Sequence, residues 1–582
     1  MEGLLKSRPP APPEASSGRK APDVLAGCLL AAGTVLLLFL FRAAEQTGDS
    51  LDYAHSIQTG RDLFHPHHLL FNAIVRLIFL FISSVFPGQD AIFAAQIHNI
   101  LWAAVAVGAL YLIIRRLLNS VFWGILAATA LLVSASFWQY ATQTEVYVPA
   151  MGCLALIAVL TFRPEPSANK SPPVLALSLL FALSIFYHQT NIFFGLPLGY
   201  LLIAVYGRIG RKQFARIAFF SGAIVLSAYM IAFAASTGSL SLRGFIHFCL
   251  AYIYHPNPDW GNIGNVSCRG VGLLLLSQAR SFVFFAKSWN IPALILSAAL
   301  LSFLSVWNAI RIIKRGPHYR LRCMILIWLC VEFLFSLWWS PWEKEMFIIT
   351  LFPIVILIFV TLGDFTGKIR SRAGLRSGRA AAVLVICVAV LTASVNFKKV
   401  ILPSLQSKGE AYREASLLMA HTPPESVILT DWEIQQSLRY YYHKESALEE
   451  AVALLCFYQR LPLPPDYVLP PEKTLVISKT NLLPETDVIK KFDGYRNPAE
   501  WLRFIGWLFQ FESDARREVI SCRSFEILVS GQGYICLSAQ RMNVEGLRDL
   551  FERLDRAISA RFGDTASHFL GWHEKNLEFL QR

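Results

Sequence analysis

Long runs of hydrophobic residues dominate the first two thirds of the chain and predict helices that cross a membrane. A bilayer core requires roughly 20 apolar residues in a helix. Polar or charged segments separate the runs, as loops separate the spans of a membrane bundle. Eleven stretches are predicted to span: 24–42, 93–113, 120–138, 145–162, 173–187, 191–206, 214–235, 291–310, 323–338, 346–363 and 380–396.

A twelfth apolar run, residues 69–86, is predicted to lie in the interface rather than to cross. If it does not cross, the segments predicted to be cytoplasmic contain 22 Lys and Arg residues. If it does cross, the later basic clusters move outside, against the positive-inside rule. Within the run, His68, Asn72 and Arg76 recur every four residues and share one helical face. The pattern favours an interfacial amphipathic helix, with or without a ligand on its polar face.

This topology divides the chain into three parts. Residues 1–23 form a Pro- and Ser-rich cytoplasmic lead, 24–396 a membrane domain and 397–582 an extracytoplasmic soluble domain. The last part is predicted to have an α/β or α+β fold. Its predicted helices are 405–420, 432–458, 498–518, 543–562 and 565–581, and its predicted strands are 427–430, 474–478, 525–530 and 534–538. Asp431, between a strand and a helix, is expected to be an N-cap.

Composition and charge agree with a membrane protein and argue against binding of nucleic acid. Hydrophobic residues make up 54% of the 582 positions and charged residues only 16%, far from the average for soluble domains. The positive charge lies in residues 1–396, with 30 basic and 15 acidic residues, whereas 397–582 carry 23 basic and 25 acidic residues. A basic excess spread over short loops indicates topology rather than a nucleic-acid surface.

The densest polar cluster beside the membrane is GDSLDYAHSIQTGRDLFHPHHLLFN, residues 48–72. An Asp just beyond the first membrane helix, followed about sixteen residues later by His-Pro and an apolar helix, resembles the GT-C glycosyltransferases. The closest branch is related to the protein O-mannosyltransferases, whose first loop reads like GDSGEF followed by AHPPGYPLY. The matching residues here are Gly48, Asp49, Ser50, Asp52, His65 and Pro66. TEVYVPA (144–150), YHQTN (187–191) and WWSPWEKE (338–345) resemble further segments of the same branch.

The resemblance implies a GT-C fold over about residues 24–396 and a polyprenyl- or dolichyl-phosphate sugar as donor, transferred with inversion to a hydroxyl acceptor. Such a transfer requires a base that removes the acceptor proton while the sugar centre becomes oxocarbenium-like. Asp49 is the candidate base. Asp52, one helical turn away, either orients Asp49 and binds a sugar hydroxyl or is an ordinary acid at a helix start.

Other polar residues at the outer level are candidates for substrate binding, although each also has an ordinary structural interpretation. A leaving phosphate requires cations, for which Arg76 and Lys344 are candidates, together with Arg243, His255, Arg269, Arg280 and Lys287. The remaining candidates are His65, His98, Glu145, Tyr147, His188 and Gln189. No cofactor is predicted. His65 and His67 have chelating spacing but need further ligands for a divalent metal site.

Three other classes remain open on the sequence. A transporter or flippase for a lipid-linked saccharide would use acids inside the membrane, and Glu332 is one within a predicted span. A polysaccharide ligase or polymerase would share the topology. A scaffold that anchors residues 397–582 would not need Asp49 at all. The expected location is a bacterial plasma membrane, with the endoplasmic reticulum as the alternative.

Overall fold

The computed structural model describes residues 20–162, 172–238, 241–250, 260–372, 375–422, 424–449, 474–478, 521–529 and 532–538. In these ranges, the chain up to residue 396 is mostly helical, which confirms an α-helical membrane protein. Its helices are α1 (Lys20–Leu40), α2 (Gly48–Thr59), α3 (Phe71–Val85), α4 (Ala91–Leu118), α5 (Val121–Leu132), α6 (Ala135–Ala141), α7 (Tyr147–Thr161), α8 (Val174–Tyr187), α9 (Gly195–Thr237), α10 (Leu242–Cys249), α11 (Cys268–Phe282), α12 (Asn290–Ile313), α13 (Tyr319–Trp339), α14 (Ile348–Arg372) and α15 (Leu375–Asn396).

Six helical segments among the described residues are long and apolar enough to cross a membrane, or seven if the bent pair α5 and α6 forms one span. The other apolar helices have 10 to 17 residues, and they are Leu25–Leu40, Phe71–Val85, Tyr147–Thr161 and Val174–Tyr187. Apolar helices therefore occupy all the predicted spans. The number that cross the bilayer stays a prediction.

Helix α9 contains a sharp reversal at Gly207, where a helix was predicted to end and a loop to begin. Gly207 has φ 57° and ψ −126°, which is not helical and which glycine adopts readily. On either side of it, a Cβ placed on Gly199 would lie 2.9 Å from the Phe214 ring. Residues fifteen positions apart in a straight helix would be roughly 22 Å apart. The chain therefore folds back at Gly207, and the predicted runs 191–206 and 214–235 form two antiparallel helices.

Helix α4 lies at the centre of the bundle, in contact with α1, α3, α5, α7 and α14. Small residues on α4, including Ala94, Ala95, Ala103 and Ala106, are fully buried and let neighbouring helices approach closely. Gly152 on α7 serves the same purpose, because a Cβ there would lie 2.6 Å from the ring of Trp102. This core fixes the outer ends of α4 and α7, where the polar candidates lie.

The loop predicted to be the first external one contains two helices joined by a short connection. Thr47 caps α2 by accepting a hydrogen bond from the backbone of Ser50, and Gly60 ends it in the left-handed conformation (φ 76°). Helix α3 packs against α2 and α4. The predicted polar face of α3 turns inward, since Asn72 and His68 are each 2% exposed. The second external loop, 236–290, contains α10 and α11, capped by Ser241 and Ser267.

After α15 the chain continues through a π-helical turn (Phe397–Ile401), α16 (Leu402–Gln406), α17 (Glu410–His421) and α18 (Trp432–Tyr442). The strands are β1 (Val427–Thr430), β2 (Ala447–Glu449), β3 (Thr474–Ser478), β4 (Ser521–Val529) and β5 (Gln532–Ser538). They form one mixed sheet of order β2-β1-β3-β5-β4. Strand β1 runs parallel to β2 and β3, whereas β5 is antiparallel to β3 and β4. Hydrogen bonds from Ala44 and Glu45 to Ser404 hold this region against the end of α1.

The strands predicted at 427–430 and 474–478 are present with the same bounds, and Asp431 caps α18 through Ile434 as expected. The predicted helix 432–458 is wrong over residues 443–449, and residues 450–458 lie outside the described residues. His443 ends α18 in the left-handed conformation (φ 52°), and 447–449 pair with β1 instead. The predicted helices 498–518, 543–562 and 565–581 lie outside the described residues.

Candidate active site

The start of α2 is tied to the loop between α6 and α7 by a buried carboxylate. Oε1 of Glu145 accepts hydrogen bonds from the hydroxyls of Thr47 (2.7 Å) and Ser50 (2.9 Å). Asn99 on α4 holds this loop from the other side, by donating to the carbonyls of Gln143 (2.8 Å) and Glu145 (2.7 Å). Two segments that are distant in sequence are thereby fixed in one position, with Asp49 on the first turn of α2.

Asp49 lies at the outer surface of the bundle, where solvent reaches its side chain although protein atoms surround it. Desolvation raises its pKa to about 7, and the charges of Glu345 and Asp52 act in the same direction. A hydrogen bond opposes the shift, since Nε1 of Trp432 donates to Oδ1 of Asp49 at 3.1 Å. A carboxylate with a pKa near neutrality is well matched to accept a proton.

Glu345 raises the pKa of Asp49, and the charge of Asp49 in turn raises the pKa of Glu145 and of Glu343. Desolvation, and next the charge of Asp49, raise the pKa of Glu145 to about 8. Burial, and next the charge of Glu345, raise the pKa of Glu343 to about 8, while the indole of Trp260 donates to its Oε1 at 2.9 Å. Oε2 of Glu345 accepts from the hydroxyl of Tyr140 at 3.0 Å. These carboxyls come from three separate segments, the start of α2, the loop before α7 and residues 343–345, and converge only in the fold.

Two cations lie near these carboxyls, since Lys344 is within electrostatic range of Glu345 and Glu145 and of Arg280. Nζ of Lys344 donates to Oε1 of Gln139 at 2.9 Å, and it lies over the ring of Tyr140. Arg280 on α11 is close enough to Lys344 to interact with it electrostatically, and its guanidinium donates to Oδ1 of Asn290 at 2.9 Å. Of the cations proposed for phosphate from the sequence, the structure brings Lys344 and Arg280 together, and His255 lies outside the described residues.

Asp52 lies one turn beyond Asp49, as predicted, and is partly buried. Desolvation raises its pKa to about 6, the guanidinium of Arg439 on α18 opposes this effect, and Asp62 reinforces it. His55, on the next turn, lies 3.3 Å from Glu445, which also contacts Arg439 at 3.6 Å. Helix α18 and the residues just after it therefore pack against α2 from Asp49 to His55.

The histidines of the first loop form a group beside the carboxyls. The rings of His65 and His68 stack at 4.2 Å, and the ring of His67 lies 4.5 Å from that of His188. Tyr147 connects this group with the acids, because its ring is 5.0 Å from His188 and it lies within electrostatic range of Asp49. Burial lowers the pKa of His65 to about 4 and that of His188 to about 3. These imidazoles are neutral at physiological pH.

Three other candidates are engaged in structural contacts. His98 bonds through Nδ1 to Asn99 (3.0 Å) and through Nε2 to the hydroxyl of Tyr187 (2.9 Å). The side chain of Gln189 donates to the carbonyl of Cys249 at 2.9 Å. The guanidinium of Arg76 donates to the carbonyls of Ile57 (2.6 Å) and Gln58 (2.7 Å), the last turn of α2. These residues position the loops around the carboxyl group.

The sequence did not indicate several residues of the site. Trp432 comes from a part of the chain without recognisable motifs. Glu343 and Glu345 lie in the WWSPWEKE segment, where only Lys344 was singled out. Tyr140 is an aromatic residue in an apolar run, with no signal that separates it from core residues. For the metal alternative, the described part of the chain contains no group of three or more His, Cys, Asp or Glu side chains placed to hold an ion.

Solved structures share the fold of this chain. ArnT from Cupriavidus metallidurans, crystallised with undecaprenyl phosphate, is 12% identical and has a TM-score of 0.51, with 88% of this chain and 97% of that chain covered. The Archaeoglobus fulgidus oligosaccharyltransferase, crystallised with Zn and sulfate, is 12% identical with a TM-score of 0.47, over 88% of this chain and 73% of that one. No curated protein matches the chain.

The fold shared with ArnT and a sequence match over residues 65–213 together indicate a GT-C glycosyltransferase. The match is to the protein O-mannosyl-transferase TMEM260 N-terminal domain. The matched segment includes His65, Glu145 and His188, and it ends shortly after the reversal at Gly207. The resemblance inferred from the first loop is thereby confirmed at the level of the superfamily.

Proposed function

We propose that the protein transfers a monosaccharide from a polyprenyl-phosphate donor to a hydroxyl acceptor on the extracytoplasmic face, with Asp49 as general base. The observation that carries this proposal is the position of Asp49. Its carboxyl is accessible to solvent at the outer ends of the helices and has a pKa of about 7. A lipid-linked donor presents its phosphate and sugar at this level of the bilayer.

The reaction follows from this placement. Asp49 removes the proton of the acceptor hydroxyl as the acceptor oxygen attacks the anomeric carbon. The bond between that carbon and the phosphate oxygen breaks, and the polyprenyl phosphate leaves with the electron pair. Attack on the face opposite the leaving group inverts the anomeric configuration. Asp52, whose pKa of about 6 leaves it largely ionised near neutral pH, favours the positive charge that develops on the sugar.

Lys344 and Arg280 are proposed to bind the donor phosphate. They come from different segments and interact with each other electrostatically, and Lys344 also lies within electrostatic range of Glu345 and Glu145. Guanidinium and ammonium groups bind phosphate through charge-assisted hydrogen bonds. The undecaprenyl phosphate in the ArnT crystal structure supports a lipid of this class as the donor carrier.

The decisive experiment is a transfer assay in proteoliposomes with polyprenyl-phosphate mannose and, separately, polyprenyl-phosphate glucose. Asp49→Asn should lower kcat by roughly 100-fold or more, because it removes the base but not the packing. Asp62→Asn is the matched control. Asp62 is an exposed acid in the same loop with φ 49°, a conformation that Asn tolerates, and its variant should retain activity. Equal rates for Asp49→Asn and wild type would refute the assignment.

The donor class and the need for metal are tested separately. Mass spectrometry of lipids bound to the purified protein should show monophosphate-linked monosaccharides. Diphosphate-linked chains would instead indicate a ligase or polymerase. We propose that transfer requires no divalent metal, so that turnover should be unchanged in a chelator. Loss of turnover that Mg²⁺ or Mn²⁺ restores would overturn this part. The bacterial plasma membrane remains the proposed location.

A further inference from the structure

A side chain from the part of the chain beyond the membrane helices donates a hydrogen bond to the candidate base, Asp49. Strand β1 ends at Thr430, Asp431 caps the following helix, and Trp432 is the first residue of α18. This strand-turn-helix arrangement directs the half-buried indole toward the start of α2. Nε1 of Trp432 lies 3.1 Å from Oδ1 of Asp49 and donates to it. The two residues are 383 positions apart.

The contact is closely packed. A Cβ placed on Gly48 would lie 2.5 Å from Cδ1 of Trp432 and 2.7 Å from its Nε1. Such distances are too short for any side chain, so the indole fits only against a glycine. The glycine therefore lets the N–H group approach the neighbouring carboxyl directly.

Further contacts hold α18 in this position. Glu445, just after α18, lies 3.3 Å from His55 of α2, and Arg439 approaches the same carboxylate at 3.6 Å. Tyr440 is 6% exposed and belongs to the core of the membrane helices. Since these contacts lie at the opposite end of α18 from Trp432, the helix is anchored at both ends.

We propose that Trp432 is a positioning residue for Asp49. The indole N–H of Trp432 holds Oδ1 of Asp49, and Oδ2 is left to receive the proton of the acceptor hydroxyl. This inference rests on the proposed function of Asp49. A hydrogen bond to the ionised carboxyl favours the form that acts as a base, and a fixed rotamer keeps the second oxygen aligned. The segment after the membrane helices is thus part of the catalytic apparatus of the first loop.

The test separates the loss of the N–H donor from the loss of the ring. Trp432→Phe keeps a large ring without the donor, whereas Trp432→Gln keeps an N–H donor without the ring. Loss of the donor should raise the pKa of Asp49, so the acidic limb of the kcat/KM profile should move to higher pH, by roughly one unit for a hydrogen bond to a charged group. The Gln variant should have a limb close to that of wild type.

Trp307→Phe is the matched control, because Nε1 of Trp307 donates to Oδ2 of Asp364 at 3.2 Å at the predicted cytoplasmic end. It should not move the limb. A limb unchanged in Trp432→Phe would overturn the proposal, and so would equal shifts in the Phe and Gln variants, which would indicate packing. Thermal melting of each purified variant checks folding, and Trp432→Leu supplies a second donor-free variant if the phenyl ring is not accommodated. Full activity in Asp49→Asn would instead refute the proposed function itself.

Discussion

The hydroxyl of Thr47 lies 2.7 Å from Oε1 of Glu145, although 98 residues separate them. This hydrogen bond joins the N-cap of α2 to the loop before α7. The position of Asp49, two residues after Thr47, therefore depends on a side chain from another span. Stability and the proposed catalytic role of Asp49 meet at this point, and substitutions can separate them.

Glu145→Ala should destabilise the protein, whereas Glu145→Gln should not. The Ala variant leaves the hydroxyls of Thr47 and Ser50 without their buried acceptor, at a cost of about 1–3 kcal/mol, and the Gln variant keeps an acceptor oxygen. Because the pKa of Glu145 is raised to about 8, the folded state binds its proton more tightly than the unfolded state does. The stabilisation that comes from proton binding by Glu145 in the folded state is therefore lost as pH rises toward 8.

The melting temperature of Glu145→Gln relative to wild type should accordingly increase between pH 5 and pH 8, since Gln cannot ionise. Melting of the detergent-solubilised variants across this range measures the effect. A constant difference between the two proteins would show that Glu145 does not titrate there.

The kcat/KM profile of the wild type should fall on the acidic side with a midpoint near pH 7, because Asp49 must be ionised to act as a base and its pKa is about 7. Removal of a neighbouring negative charge should lower this pKa. Glu345→Gln should therefore move the midpoint to lower pH, and Asp52→Asn should do so to a smaller extent, in the order of their influence on Asp49. Asp62→Asn should leave the midpoint in place. An upward shift in Glu345→Gln would contradict the assignment of this limb.

Gly48→Ala should produce the same upward shift of the acidic limb as Trp432→Phe. The added methyl group would lie 2.5 Å from the indole and would displace it from Asp49. Gly33→Ala, in α1, is the control, because no atom lies within 4 Å of a Cβ there. In a Trp432→Gln background, Gly48→Ala should shift the acidic limb by less than it does in the wild type, as expected for residues in contact. Strict additivity would argue against the contact.

Lys344→Gln and Arg280→Gln should raise the KM for the polyprenyl-phosphate donor by roughly tenfold each, which corresponds to the loss of one charge-assisted hydrogen bond. The acidic limb should keep a clear midpoint in both variants. Lys287→Gln removes an exposed cation from the loop that also contains Arg280, and it should leave the KM for the donor unchanged. If all three variants behave alike, the donor phosphate lies elsewhere.

Arg76→Gln should lower thermal stability by about 1–2 kcal/mol and leave the donor KM unchanged. The guanidinium binds the carbonyls of Ile57 and Gln58 at the C-terminus of α2, where a cation is favourable. Arg76→Lys should recover part of this stability through its charge. A large increase in donor KM with normal stability would support the sequence-based assignment of Arg76 to the phosphate.

Local patterns in the sequence predicted the apolar helices, the acidic cluster after α1 and the strands at 427–430 and 474–478, since periodicity and turn residues are local signals. The density of polar residues in 48–72 indicated Asp49 and Asp52. Long-range contacts were not predictable in this way. Nothing near Trp432 or Glu345 shows that the fold brings them to Asp49. The reversal at Gly207 required a backbone angle that the predicted loop did not specify.

The contact between Asp49 and Trp432 also has a consequence for biosynthesis. The chain after residue 49 must be extended by 383 residues before its partner exists, which takes roughly tens of seconds at ordinary translation rates. A polypeptide that terminates before residue 432 contains the membrane helices but lacks the hydrogen bond from Trp432 to Asp49. We expect such products to turn over slowly near neutral pH, so that full transfer activity requires synthesis of the chain at least through α18.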